Sequence, residues 1–271
     1  MEKLKLNKGL DIFSLRGKTA LITGATGHLG ASTAAIFAEA GARVLINSRT
    51  SERADELVAR LNVDGYTAES AVFDVTSPTE IASFAEHLQG DPLHVLVNNA
   101  YLGGAGNIEC AGSDSYASSY DVTMIAAHRL LTALLPNLRQ AARQCGDASV
   151  INLASMYALV SPDPRIYESP SATNPPFYGA AKAALLQWTR YAACEFGKEG
   201  IRINAISPGP FPSQAVQDTN PAFVERLVTK VPMGRIGASD EIRGPMLFLA
   251  APASSFVNGA NLVVDGGWTC W

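Results

Sequence analysis

The chain reads as an α/β protein, a doubly wound parallel sheet of about seven strands with helices on both faces. Three observations predict it. Short, continuously apolar runs such as Lys18–Thr23, Arg43–Asn47 and His94–Asn98 recur without the in–out alternation of a half-solvated strand. Segments with helical spacing separate them, and right-handed crossovers then leave few topologies other than one sheet covered on both sides. Glycines crowd the first strand-to-helix junction, Gly24 to Gly30, where such folds turn tightly.

Taken in order, Lys18–Thr23 is the first strand and Ala31–Ala40 the first helix, closed by Gly41 as a C-terminal cap. Arg43–Asn47 is the second strand. Ser51–Leu61 follows as a helix, with Ser51 as its N-cap and Arg53 and Glu56 on its outer face. Thr67–Phe73 is a third strand ending in Asp74, and Ser77-Pro78 opens the next helix as cap and first-turn proline. His94–Asn98 is a fourth strand. A single long helix is expected from about Ser113 to Gln144, followed by the strand Ser149–Leu153. The rhythm continues with a helix from Tyr178 to about Lys198, the strand Ile201–Ile206, a helix over Asp240–Leu249 and a last strand, Asn261–Val264. With no linker or repeat, residues 1–271 are read as one domain.

Two segments break the pattern. Ser161–Pro176 carries five prolines and no periodicity, so it is a loop, and Pro208–Asn220 begins in the same way. Both follow strands at their C-terminal ends, where open α/β sheets bind ligands, and long excursions in a compact domain are usually functional.

Composition narrows the function. Hydrophobic residues make up 47% of the 271 and charged residues 17%, enough for a large core. A net charge of −4 and a pI near 5.6 give no attraction to nucleic acid or an anionic membrane. No apolar run reaches the ~18 residues of a membrane span. The lead Met1–Leu15 is polar and lysine-bearing, unlike a signal peptide, and a cytoplasmic protein is expected. Cys110, Cys145, Cys194 and Cys270 lack metal-ligand spacing and are expected to be small buried or semi-buried thiols in a reducing compartment. No metal site is expected.

The glycine-rich loop, Thr23 to Gly30, lets backbone N–H groups approach a pyrophosphate at a helix N-terminus. Gly24, Thr26, Gly27, His28, Leu29 and Gly30 are therefore candidate dinucleotide contacts. Cofactor choice is read at the end of the second strand. Ser48 and Arg49 stand there instead of an acidic residue, and a guanidinium suits a 2′-phosphate, so NADP(H) is favoured over NAD(H). Asp74, Val75, Asn99 and Ala100 end the third and fourth strands, where they would flank an adenosine or act as plain turn residues.

Tyr178 and Lys182 lie one helical turn apart on the same face. An ammonium there favours the phenolate and is expected to lower a phenol pKa from near ~10. The spacing alone is common, and its meaning depends on the cleft around it.

Seven motifs occur in order: TGATGHLG (23–30), DV (74–75), NNA (98–100), INLAS (151–155), YGAAK (178–182), RINAISPG (202–209) and VDGG (264–267). Together they resemble the short-chain dehydrogenase/reductase family along nearly the whole chain. The resemblance implies a Rossmann-like sheet, a nicotinamide cofactor and hydride transfer between a carbonyl and an alcohol. It makes Tyr178 the acid/base, Lys182 the ribose ligand that depresses the tyrosine pKa, and Ser155 the hydrogen-bond partner of the substrate oxygen. It also assigns Pro208 and Gly209 to the nicotinamide pocket, Phe211 and Ser213 to the carboxamide and phosphates, and Asp265–Gly267 to the neighbourhood of a subunit interface. Relatives usually form homodimers or homotetramers.

The departures are informative. His28 replaces a glycine, Tyr101 follows Asn98-Asn99-Ala100 in place of the usual glycine, and Thr123 stands where the family carries a catalytic asparagine. Ser155 and Tyr178 are separated by 22 residues, a longer interval than the family pattern, and the surplus is the proline-rich loop. Its Asp163, Arg165, Tyr167 and Glu168 give a polar rim, which points to a small polar substrate such as a sugar or polyol derivative. Tyr101, Tyr157, Arg165 and Tyr167 are the candidate substrate contacts. The resulting expectation is an NADP(H)-dependent carbonyl reductase or alcohol dehydrogenase. An NADP(H)-binding sensor or scaffold, and a nucleotide-sugar epimerase or dehydratase with retained cofactor, stay open beside it.

Overall fold

Residues 9–271 are described by a computed structural model; Met1–Lys8 of the polar lead lie outside the described residues. Seven strands form one parallel sheet in the order β3-β2-β1-β4-β5-β6-β7. They are β1 (Thr19–Ile22), β2 (Arg43–Ser48), β3 (Thr67–Val72), β4 (Val95–Asn98), β5 (Ala148–Leu153), β6 (Ile201–Pro208) and β7 (Asn261–Val264). The order runs outward from β1 to β3, then jumps back to place β4 on the other side of β1. That reversal opens a crevice at the carboxyl ends of β1 and β4, the switch point where such sheets take ligands.

Helices cover both faces. Alternation along the strands divides the core: Ile22, Val44 and Ile46 pack with Phe37 of α1 (His28–Glu39), Leu57 of α2 (Ser51–Val63) and Met246 of α9 (Arg243–Ala250). Leu21, Leu45 and Leu96 point the other way, towards Ile81 of α3 (Pro78–His87), Leu130 of α5 (Ala126–Cys145) and Ala192 of α6 (Pro176–Phe196). Both faces of the central strands are therefore dry, which is why their sequences run apolar without alternation.

Two of the local cap signals hold. Ser77 accepts a hydrogen bond from Glu80 N–H, with Pro78 in the first turn, and Gly41 follows α1 with φ +96°. Three expectations change. The N-cap of α2 is Thr50, so Ser51 is already its first residue. The long helix is broken: α4 (Ser113–Tyr120) passes through one π-type turn, Asp121–Ile125, before α5 begins. All four cysteines are exposed rather than buried, because the sheet core is filled by aliphatic and aromatic side chains.

Beyond Pro208 the chain forms two short helices, α7 (Gln214–Thr219) and α8 (Pro221–Val228). Ser161–Pro176 is irregular apart from two 3-10 turns, Pro164–Ile166 and Pro170–Ala172. It packs on α8 through a satellite core of Ile166, Tyr167, Tyr157, Leu227, Val231 and Trp268. Among the described residues, no helix is long and apolar enough to cross a membrane.

Candidate active site

Because all seven strands are parallel, the junctions after β1, β2, β3, β4, β5 and β6 gather at one edge of the sheet. They line a cleft of 1010 Å³, at the upper end of the ~300–1,000 Å³ typical of small-molecule sites.

At the switch point the loop after β1 is fixed from two sides. Asn99 Nδ2 donates to the carbonyls of Thr23 and Gly24 at 2.8 and 2.9 Å, while Thr23 Oγ1 accepts from the N–H groups of Asn99 and Ala100. Asn47 Oδ1 accepts from Gly24 N–H at 3.2 Å, and its amide donates to the Ala71 and Phe73 carbonyls. Gly24 has φ +58°, a conformation glycine adopts without steric cost. A Cβ at Gly30 would lie 2.5 Å from the Gly24 carbonyl oxygen. The N-cap of α1, Gly27, has no side-chain hydrogen bond, so the first-turn N–H groups keep their capacity for an anion. This cradle fits a pyrophosphate. His28, the first residue of α1, lines it, and burial lowers its imidazole pKa.

At one end of the cleft stand Ser48, Arg49, Asp74 and Val75, as expected, with Arg53 and Thr76 beside them. Arg53 was placed on the outer face of α2 by its sequence pattern. It lies in the first turn of α2, four residues beyond Arg49, which precedes the helix. Burial pushes the Asp74 carboxyl up, but hydrogen bonds from Thr76 N–H and Oγ1 and the nearby Arg49 charge outweigh it, leaving the pKa lowered. Two guanidiniums and a hydroxyl suit a phosphorylated ribose.

At the other end Ser155, Tyr178 and Lys182 meet, with Pro208, Gly209, Phe211 and Ser213 beside them. Lys182 is 3% exposed; its Nζ donates to the Leu153 carbonyl at 2.6 Å and lies 5.7 Å from the Tyr178 ring centroid. Ser155 Oγ accepts from Tyr157 N–H at 3.1 Å, which leaves its own proton to donate towards Tyr178. The expected depression of the tyrosine pKa is not what this geometry produces. Burial raises the Tyr178 pKa, against a hydrogen bond with Ser155 that lowers it, and burial brings Lys182 down to about 7. Desolvation dominates both shifts because the two groups sit in the same dry wall.

Tyr101 lines the cleft, and its ring stands edge-on to Tyr178 at 6.2 Å between centroids. Tyr157, Arg165 and Tyr167 are not among the lining residues. The tyrosine hydroxyls bond to each other at 2.8 Å within the satellite core, and Arg165 turns outward to pair with Asp163 at 2.7 Å. Apolar docking of the insert on α8 thus draws Tyr167 away from the cleft. Thr123 is buried within the π-type turn that packs against α6, whereas Asp121 and Val122 of that turn line the cleft. Asn174, which no sequence signal marked, also lines the cleft.

A family model described as enoyl-(acyl carrier protein) reductase matches residues 24–269. The chain is 33% identical over 261 residues to 5-keto-D-gluconate 5-reductase of Escherichia coli K12, covering 95% of this chain and 97% of that one. It is 30% identical over 267 residues to gluconate 5-dehydrogenase of Gluconobacter oxydans, covering 96% and 97% of the two chains. The structure of a gluconate 5-dehydrogenase from Burkholderia cenocepacia in complex with NADP and tartrate superposes with a TM-score of 0.85 at 31% identity, over 97% of this chain and 99% of that one. Fold, motif order and these relatives agree: the chain belongs to the short-chain dehydrogenase/reductase family and is an NAD(P)-dependent oxidoreductase.

Proposed function

We propose that the chain is an NADP(H)-dependent oxidoreductase that interconverts a carbonyl and a secondary alcohol on a small, polyhydroxylated substrate, a sugar acid or polyol. The observation that carries this reading is the cleft itself, with Ser155, Tyr178 and Lys182 at one end and Ser48, Arg49 and Arg53 at the other. Relatives acting on gluconate or 5-keto-D-gluconate support the substrate class, and the NADP complex of one supports the cofactor.

When bound, the nicotinamide supplies or accepts the hydride. The residues handle the proton and the charge. Burial keeps Tyr178 protonated across neutral pH, so its phenol is available to protonate the carbonyl oxygen as hydride arrives. Ser155, its oxygen already held by Tyr157 N–H, donates to that same oxygen where negative charge develops. Lys182 has spent one of its three donors on Leu153, leaving two for ribose hydroxyls and for the tyrosine oxygen. Ser48, Arg49 and Arg53 would hold the 2′-phosphate, and Gly24–Gly30 the pyrophosphate. The 271 residues work as one cofactor-binding and catalytic unit, in the cytoplasm, as a homodimer or homotetramer.

Replacement of Tyr178 by Phe tests the reading. NADPH oxidation on a panel of hydroxylated ketones should fall by at least about 1,000-fold while NADPH binding, followed by its fluorescence, survives. A Tyr178→Phe protein with full turnover would falsify the assignment.

A further inference from the structure

Arg129, on α5, is not among the lining residues of the cleft, yet it holds two that are. Its Nη1 donates to the Asp121 carboxylate at 2.9 Å and to the Thr76 carbonyl at 3.1 Å. One nitrogen within reach of both sets Asp121 beside Thr76, at the end of the cleft where Arg49 and Arg53 stand. Asp121 belongs to the π-type turn after α4 and Thr76 to the loop after β3, so the guanidinium bridges two elements that are distant in sequence.

Each side of the bridge is itself fixed. Asp74 Oδ1 accepts from Thr76 N–H at 2.8 Å and from its hydroxyl at 2.7 Å, and Asp74 N–H donates to Glu80 Oε2 at 2.8 Å. In the turn, Ala126 N–H donates to the Asp121 carbonyl, five residues back, the widened pattern that often marks functional sites in helices. Val122, next to Asp121, lines the cleft and packs on the core that holds Phe73 and Val75. Charge matters as well. The Asp121 side chain is 32% exposed, and a carboxylate without a partner there would repel an anionic ligand.

We infer that Arg129 is a positioning residue for the cofactor: through Asp121 and Thr76 it sets the wall of the adenosine half of the site and offsets a carboxylate that faces it. The inference rests on the NADP(H) reading and deepens it, by making affinity for the adenosine half depend on a residue outside the cleft.

The probe is 2′,5′-ADP, the half of the cofactor without the nicotinamide, titrated by calorimetry. Arg129→Met keeps a long side chain without donors or charge. It should weaken 2′,5′-ADP at least about tenfold and raise the KM for NADPH in step, with kcat at saturating NADPH within about twofold of wild type. Because both contacts run from one nitrogen, the ammonium of Arg129→Lys can replace them, and that variant should bind 2′,5′-ADP within about threefold of wild type. Wild-type affinity in Arg129→Met, a fall in kcat as large as the rise in KM, or Arg129→Lys no better than Arg129→Met overturns the inference. So does an Arg129→Met protein that fails to fold, since the role is then structural. A wild type that binds 2′,5′-ADP but reduces no carbonyl defeats the oxidoreductase reading alone, because the probe carries no nicotinamide. A wild type that reduces carbonyls yet does not bind 2′,5′-ADP overturns this inference and leaves the redox assignment standing.

Discussion

Lys182 has one protein acceptor, the Leu153 carbonyl, and almost no exposure to water. Its pKa falls from the ordinary 10.5 to about 7 because burial penalises the ammonium. Between those values the unfolded chain binds more protons than the folded one, so stability rises with pH across that window and is flat below about pH 7. The charge costs the fold up to about 4 kcal/mol at pH 7. In Lys182→Met this slope should vanish: denaturant unfolding at pH 7 and pH 9 should show the wild type gaining about 2 kcal/mol more than the variant. An identical pH dependence in both proteins would mean the lysine is charged and well solvated. The pairing of Tyr178 with Lys182 was legible from their spacing, but the direction of their pKa shifts was not, since spacing says nothing of how dry the shared wall is. At the opposite end, Arg49 was legible as the residue after β2, and its replacement has a clear sign. Arg49→Asp should raise the KM for NADPH at least tenfold more than that for NADH, read as initial rates with each cofactor. Equal changes would remove Arg49 from the phosphate site.

Among elements, the strands and the glycine loop were the most readable, because a strand dry on both faces and a tight βα turn each leave a local pattern. The insert was not readable beyond its irregularity. Its path is set by tertiary docking of Ile166 and Tyr167 on Leu227 and Val231, and no local periodicity encodes that contact. The break at Asp121–Ile125 escaped for a related reason, as helical spacing persists on both sides of a wide turn. The loop after β1 carries a sharp prediction. A methyl at Gly30 would press on the Gly24 carbonyl and on Asn99 Nδ2, 2.9 Å away, and neither can retreat without breaking the clamp between β1 and β4. Gly30→Ala should cost about 1–3 kcal/mol in denaturant unfolding and weaken NADPH at least tenfold. Wild-type affinity in that variant would show the loop to be softer than its packing implies.

At the scale of the whole molecule, a parallel sheet is stable when its faces are covered, and both of its edges are partly open here. The β3 edge is open mainly through the polar Thr67, Glu69 and Ser70, and the β7 edge through apolar residues. Among the described residues, the strand β7 is the outermost on its side and pairs with β6 alone, and its residues are only partly buried. Val263 is 39% exposed, with Phe256 and Trp271 also exposed in the segments that flank the strand. The neighbouring turn is rigid, since Asp265 accepts from Gly267 N–H and from both the N–H and the hydroxyl of Thr269. A fixed, partly apolar edge beside the active-site cleft is the kind of surface that a second copy of the chain would cover. Light scattering should therefore give a mass of two or four times the 28.6 kDa chain. Val263→Lys places a charge on the outward face of that edge and should shift the population towards monomer, with NADPH affinity retained because the cofactor cradle lies at the β1–β4 switch point. A monomeric wild type at micromolar concentration would show that the edge is left to water.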